Sequence, residues 1–248
     1  MNVPSSAWDN SRFFRIAGWC SLAQSALYVA AVAALSRTPL LKLFDMERDS
    51  GMEAFMAHYA ANPWPIRAMC LAFIFLGLLG FIAVAPATFH FLKGRDRGWL
   101  SPGWRLGMLC LAVITAYYIW FLAALPARAA LWRGSDPAVR SLLAGFSNPQ
   151  EPAAWMSWFM FAGMGLWVLA VGDAARRHPA LSGAFPVACL VKAGGFWLAH
   201  AGIVLQAAPL AAAGAILGGL IGGPAYHALL GNAFRRSITD STTKARRK

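Results

Sequence analysis

The sequence predicts an all-α membrane bundle of six transmembrane helices, and three observations predict it. Of 248 residues, 58% are hydrophobic and 13% charged, against about 25% charge in an ordinary soluble domain. The charged residues cluster between apolar runs long enough to cross ~30 Å of hydrocarbon, which takes about 20 helical residues. Lysine and arginine are also unevenly divided between alternate connections, as the positive-inside rule requires of a polytopic chain.

The spans follow in order. The first four cover 14–35, 67–92, 106–125 and 153–172. The last apolar stretch, 186–231, is about twice too long for one crossing at 1.5 Å per residue. Gln206-Ala207-Ala208-Pro209 supplies a turn near its middle. It therefore divides into spans at 187–205 and 210–231, followed by a basic cytoplasmic tail at 232–248. The whole chain, 1–248, reads as a single transmembrane domain.

Orientation comes from the basic residues. Fourteen fall on the side of the termini: Arg12, Arg15, Lys93, Arg95, Arg97, Arg105, Arg176, Arg177, Arg235, Arg236, Lys244, Arg246, Arg247 and Lys248. Seven fall on the other: Arg37, Lys42, Arg48, Arg67, Arg128, Arg133 and Arg140. The expectation is N-in/C-in, multi-pass, in a cell (inner) membrane. A signal peptide at the first span, with Ala31-Val32-Ala33 as cleavage site, requires a shorter apolar run than the one present. Trp64, Trp132, Trp155 and Trp158 then mark the outer interface, and Trp8, Trp99 and Trp104 the inner one.

The net charge is +12. In a soluble protein this would point to nucleic acid. Here the basic residues flank apolar segments, so the expected partners are the bilayer and its anionic lipid headgroups at the cytoplasmic face, not nucleic acid. Cys20, Cys70, Cys110 and Cys189 all fall inside spans without a C-x-x-C pair, and read as small buried residues.

Two outer loops carry helix signals. Ser50-Gly51-Met52-Glu53 has the form of a capping box before Phe55, Met56 and Tyr59, and Asn62-Pro63 closes that helix. Asp136-Pro137 opens a second helix that Gly145 would stop. Both read as interfacial helices, or as lids over an outward-facing cavity.

Candidate site residues are few. Ser21, Gln24, Ser25 and Tyr28 recur at i, i+3, i+4 and i+7, on one face of the first span. Such a face points into the bundle, either as interhelical hydrogen bonding or as the lining of a solute pocket. Lys192 and His200 lie within the fifth span. Intramembrane ionisable residues are functional candidates, although Lys192 is near enough to the membrane surface to snorkel. Together Ser21, Gln24, Tyr28, Lys192 and His200 form the candidate substrate-binding set. The sharpest expectation is a cavity opening outward between spans one and five, lined by Gln24, Tyr28 and His200 and roofed by 50–62.

Gly214, Gly218 and Gly222 make overlapping G-x-x-x-G repeats, a close helix-packing face. Its partner is another span or another subunit, so a homo- or hetero-oligomer is compatible. The second and sixth spans end alike, in Pro86-Ala87-Thr88-Phe89-His90 and Pro224-Ala225-Tyr226-His227. Each proline frees the carbonyl four residues earlier. His90 and His227 at similar depth define the alternative of a haem-bearing electron-transfer subunit; otherwise no cofactor is expected.

Absences narrow the classes. No Asp or Glu lies in the middle of a span, and Asp173 sits beside Arg176 and Arg177 as a surface pair. Carboxylate clusters for Mg²⁺, H-E-x-x-H, P-loop and a G-x-S-G nucleophile to accompany His200 are all missing. Arg15-Ile16-Ala17-Gly18, Tyr59-Ala60-Ala61-Asn62 and the ending from Pro86 to Lys93 resemble the corresponding strings of bacterial six-helix integral membrane proteins of unknown function. The resemblance implies the bundle and carries no activity with it. The leading functional expectation is a non-catalytic binding or transport-type bundle, or a subunit of a membrane assembly. The alternatives are the haem subunit and an intramembrane enzyme on a hydrophobic substrate, with His200 as acid or base.

Overall fold

The computed structural model of the chain describes residues 10–37, 48–140, 155–181 and 183–246. Six helices are long and apolar enough to cross a membrane: Arg12–Leu35, Trp64–Arg95, Leu100–Gly134, Trp155–Ala175, Ala184–Val204 and Ala208–Ser237. They are numbered here spans 1 to 6. No strand occurs among the described residues. The chain is a multi-pass membrane protein built as a six-helix bundle.

Each span packs against its neighbours in sequence, and span 6 closes on span 1. The result is a ring of antiparallel helices with an interior axis. Both described chain ends lie at one end of this ring, called here the terminal end; the opposite end is the far end. The ring's outside is apolar. Ile16, Phe75, Ile82, Leu109, Ile119, Val187 and Ile221 are exposed on it, as expected of a surface solvated by lipid chains.

The turns follow the sequence closely. Span 5 ends in a Schellman motif, with Ala207 N–H donating to Gly202 O at 2.7 Å and Gln206 N–H to Ile203 O at 3.2 Å. This requires a left-handed residue after the cap, and Gln206 adopts it at φ 54°. At the other end of the connection Pro209 occupies the first turn of span 6, where a missing N–H costs nothing. Asp136 Oδ1 accepts from Val139 N–H at 2.9 Å and starts the helix at 137, as its sequence suggests. Gly145, Trp8 and the start of the predicted fourth span at 153 lie outside the described residues.

Several boundaries differ from the sequence expectation. Span 3 does not stop at 125 but runs to Gly134, through Pro126. Leu125, Ala129 and Trp132 share one helical face and are all buried, and Arg128 stacks over Trp120 at 4.9 Å. Packing on that face outweighs the lost proline hydrogen bond. Trp132 is therefore packed into the core, whereas Trp64, Trp99, Trp155 and Trp158 are exposed. Beyond 231 the chain continues as helix, Gly223–Arg246. The loop helix spans Arg48–Ala61, starting before Ser50; the side chains of Ser50 and Glu53 lie outside the described residues. Its Phe55, Met56 and Tyr59 are buried, and Phe55 packs on Phe121 of span 3 at 6.3 Å.

Three spans contain π-helical segments: Gly80–Val84, Trp158–Gly163 and Ile216–Gly222. The first and third end just before Pro86 and Pro224, where the ordinary ladder is already interrupted. In span 2 the wider turn is closed by Ala85 N–H donating to Gly80 O. The matching sequence endings of spans 2 and 6 thus correspond to matching backbone devices.

Candidate functional site

The interior of the ring holds a cavity of about 140 Å³, with lining residues from all six spans. Every π-helical segment contributes to it, through Gly80 and Val84, Met160 and Phe161, and Gly219. Such segments widen a helix locally and recur at functional sites. The wall is apolar apart from a cluster near the terminal end.

That cluster is built from spans 1, 5 and 6. The glycine face of span 6 zips against span 5. A side chain at Gly214 would meet Ala199 N at 2.1 Å, and one at Gly222 would meet Lys192 Cα at 2.6 Å. The partner of the G-x-x-x-G face is therefore the neighbouring span of the same chain. This close approach fixes the register of the hairpin and sets Lys192 beside the last turns of span 6. Gly223 makes room for the Tyr28 ring, which a Cβ there would touch at 2.9 Å.

Lys192 does not snorkel. It is 1% exposed, and its Nζ lies 3.0 Å from His227 Nε2. Three aromatic faces surround the Nζ, with ring centroids at 4.3 Å (Tyr226), 4.9 Å (Tyr28) and 5.6 Å (Phe196). The His227 ring stacks on Tyr28 at 5.4 Å and meets Tyr226 edge-on at 4.9 Å. Its tautomer follows from the hydrogen bonds. Ser21 Oγ–H donates to His227 O at 2.8 Å, so the same oxygen can only accept from His227 Nδ1–H, 3.4 Å away. Nε2 is then a bare lone pair that accepts from Lys192.

The polar stripe of span 1 faces inward as expected, and each member has a definite role. Ser25 Oγ–H donates to Pro224 O at 3.0 Å. Gln24 Nε2 donates to Leu76 O at 2.7 Å. A carbonyl can only accept, so this contact settles the amide orientation. Gln24 Oε1 is then a buried acceptor on the cavity wall with no partner among the described residues.

Of the candidate residues, the structure brings together Ser21, Gln24, Tyr28 and Lys192, and adds His227. It leaves out His200, whose Nδ1 pairs with Ser157 Oγ at 2.9 Å on the seam of spans 4 and 5. The cavity therefore lies on the ring axis and is not bounded by spans 1 and 5 alone. No described side chain of the 50–62 segment lines it, and that helix packs on span 3 through Phe55 and Phe121. His90 and His227 do not meet: His90 is exposed on span 2, while both nitrogens of His227 are engaged within the ring. Asp173 pairs with Arg177 at the surface, and Arg177 also donates to Arg95 O at 2.8 Å. The four cysteines are free thiols. Tyr226, Phe196 and Thr88 were missed as site residues. Tyr226 and Thr88 stand in the matched proline endings, which was the available signal.

Comparison of the chain with family models, with curated proteins and with solved structures returns no match.

Proposed function

We propose that the protein is a ligand-binding membrane bundle that holds a small amphipathic molecule on the axis of its helix ring. The observation that carries this is Lys192. A buried amine with N–H donors sits on the wall of an apolar cavity whose lining, among the described residues, includes no Asp or Glu. Ionisable side chains at membrane depth are expensive and cluster at substrate paths. An electron-rich head, such as a carboxylate or a carbonyl oxygen, would accept from Lys192. Leu111, Ile114, Met164 and Val168 would take the apolar part. An engineered apolar cavity of about 150 Å³ accommodates benzene, which sets the size of the group that fits. The half-buried rim is formed by Val32, Leu35, Ala215 and Gly219 at the far ends of spans 1 and 6, so entry is from that end. In a bacterial inner membrane with cytoplasmic termini, this end faces outward.

The test is thermal unfolding of the protein in nanodiscs with octanoate, octylamine or neither. Octanoate is expected to raise the transition temperature and octylamine not to, with the octanoate effect lost in Lys192→Met. Equal shifts from both amphiphiles would show a nonspecific lipid-like effect and sink the proposal.

A further inference from the structure

Within the same cavity, and resting on the reading that it is a ligand site, we infer that Lys192 is a nucleophilic amine that captures a carbonyl compound as an imine. The arrangement is a nucleophile, a base and a group that orients the base. Lys192 Nζ is 3.0 Å from His227 Nε2, and His227 Nδ1 faces Ser21 Oγ, whose own proton is committed to a backbone carbonyl. That order leaves the basic nitrogen of His227 aimed at the amine. Activated nucleophiles are recognised by this geometry, and lysine reacts as the free amine when desolvated in an apolar pocket. Lys192 is 1% exposed among three aromatic rings, and the described residues lining the cavity include no carboxylate to hold it as an ammonium ion.

The step balances without an added oxidant or reductant. The Nζ lone pair attacks the carbonyl carbon of an aldehyde, and the C=O π pair moves onto oxygen. His227 Nε2 takes one N–H proton and delivers it to the alkoxide oxygen, giving a carbinolamine. His227 then carries the second N–H proton to the hydroxyl, which leaves as water as the nitrogen lone pair forms the C=N bond. The ligand class is a small apolar aldehyde or ketone with a body no larger than about one ring.

The experiment uses the full chain in nanodiscs, benzaldehyde as probe and cyanoborohydride to trap the imine as a benzylamine, read by peptide mass mapping. Wild-type protein is expected to carry the adduct at Lys192 ahead of exposed Lys93, and benzyl alcohol, which binds without reacting, slows it. His227→Gln is expected to slow trapping at Lys192 about a hundredfold, the low end of what a positioned base contributes, and to leave Lys93 unchanged. The comparison of Lys192 with Lys93 within one wild-type sample does not depend on any variant folding. Benzyl alcohol stabilising the protein with no preference for Lys192 would overturn the covalent step and leave the binding site standing. No stabilisation and no adduct would overturn both.

Discussion

Lys192 Nζ and His227 Nε2 lie 3.0 Å apart inside a helix ring, and among the described residues lining its cavity there is no carboxylate. Their contact joins spans 5 and 6 where the glycine face of one meets the backbone of the other. Two basic groups in hydrogen bond within an apolar interior are costly unless each satisfies the other, which gives the pair a specific mutational signature.

Removing one partner should cost more than removing both. His227→Leu leaves the Lys192 amine without its acceptor, a loss of about 1–3 kcal/mol for an unsatisfied buried group. The double variant Lys192→Met/His227→Leu replaces the pair by apolar side chains, which is often close to neutral for buried polar pairs. Thermal unfolding in detergent of the four members of the cycle measures the coupling. Strictly additive losses would show that the two side chains do not interact.

The glycine face makes a second prediction with its own control. A methyl group at Gly222 would lie 2.6 Å from Lys192 Cα, whereas at Gly219 the nearest atom is Val32 Cγ2 at 3.9 Å. Gly222→Ala should therefore separate spans 5 and 6, costing about 1–3 kcal/mol as overpacked interfaces do, and should shift Lys192. Gly219→Ala should fold normally while narrowing the cavity. Gly218→Leu should be worse than either, because a Cβ there already meets Phe196 Cδ1 at 2.5 Å and Phe196 N at 2.9 Å and leucine adds three more carbons beyond it. Melting temperatures that do not separate Gly222→Ala from Gly219→Ala would contradict the register.

These contacts show what the sequence can and cannot reveal. The spans, the Gln206 turn and the inward stripe of Ser21, Gln24 and Tyr28 were legible because lipid leaves so few solutions for an apolar helix with a polar face. The glycine row announced a close contact but not its partner, since any face of small residues offers the same fit. Which residues meet across the ring depends on that partner. His200 looked like the natural companion of Tyr28 by depth alone, yet its face of span 5 turns toward Ser157 of span 4. Lys192 looked near enough to the surface to snorkel, but its long side chain instead follows span 6 to His227. The extension of span 3 past Pro126 was hidden for a related reason: Leu125, Ala129 and Trp132 hold it only because a neighbouring surface is present to bury them.

At the terminal end, His178 supplies a pH prediction. Burial holds its imidazole below the usual value of 6.5, and the Arg95 charge adds to this. The ring packs on Phe91 at 4.4 Å, and Nδ1 accepts from Ala180 N–H at 3.3 Å, a role only the neutral form can fill. Because the folded value lies below the unfolded one, the unfolded chain binds more protons between the two, and stability falls as pH drops below about 6.5. The effect is small, since the ring is partly open to solvent. His178→Asn should flatten the dependence of melting temperature on pH between about 7 and 5. An unchanged slope would assign the pH response to other groups.

The orientation of the ring is the last prediction. The helices alone place both described ends on one side, and the Arg177–Arg95 contact ties the connection after span 4 to the one after span 2 at that end. Which side this is must come from charge. The sequence assigns fourteen lysines and arginines to the tails and connections on the side of the termini and seven to the opposite connections, and basic residues near span ends are retained in the cytoplasm. Reporter fusions after Lys248 and within 95–99 should therefore both report cytoplasm, and an insertion after Ser135 should report the opposite side. The direction of the cavity follows from the same result. If the terminal end is cytoplasmic, Lys192 and His227 lie in the inner half of the bilayer, and the rim at Leu35 and Ala215 opens toward the outer leaflet. A C-terminal fusion reporting the far compartment would invert this, so that ligands would enter from the inner leaflet instead. Fusions at the two terminal-end positions that disagreed with each other would break the six-span ring itself.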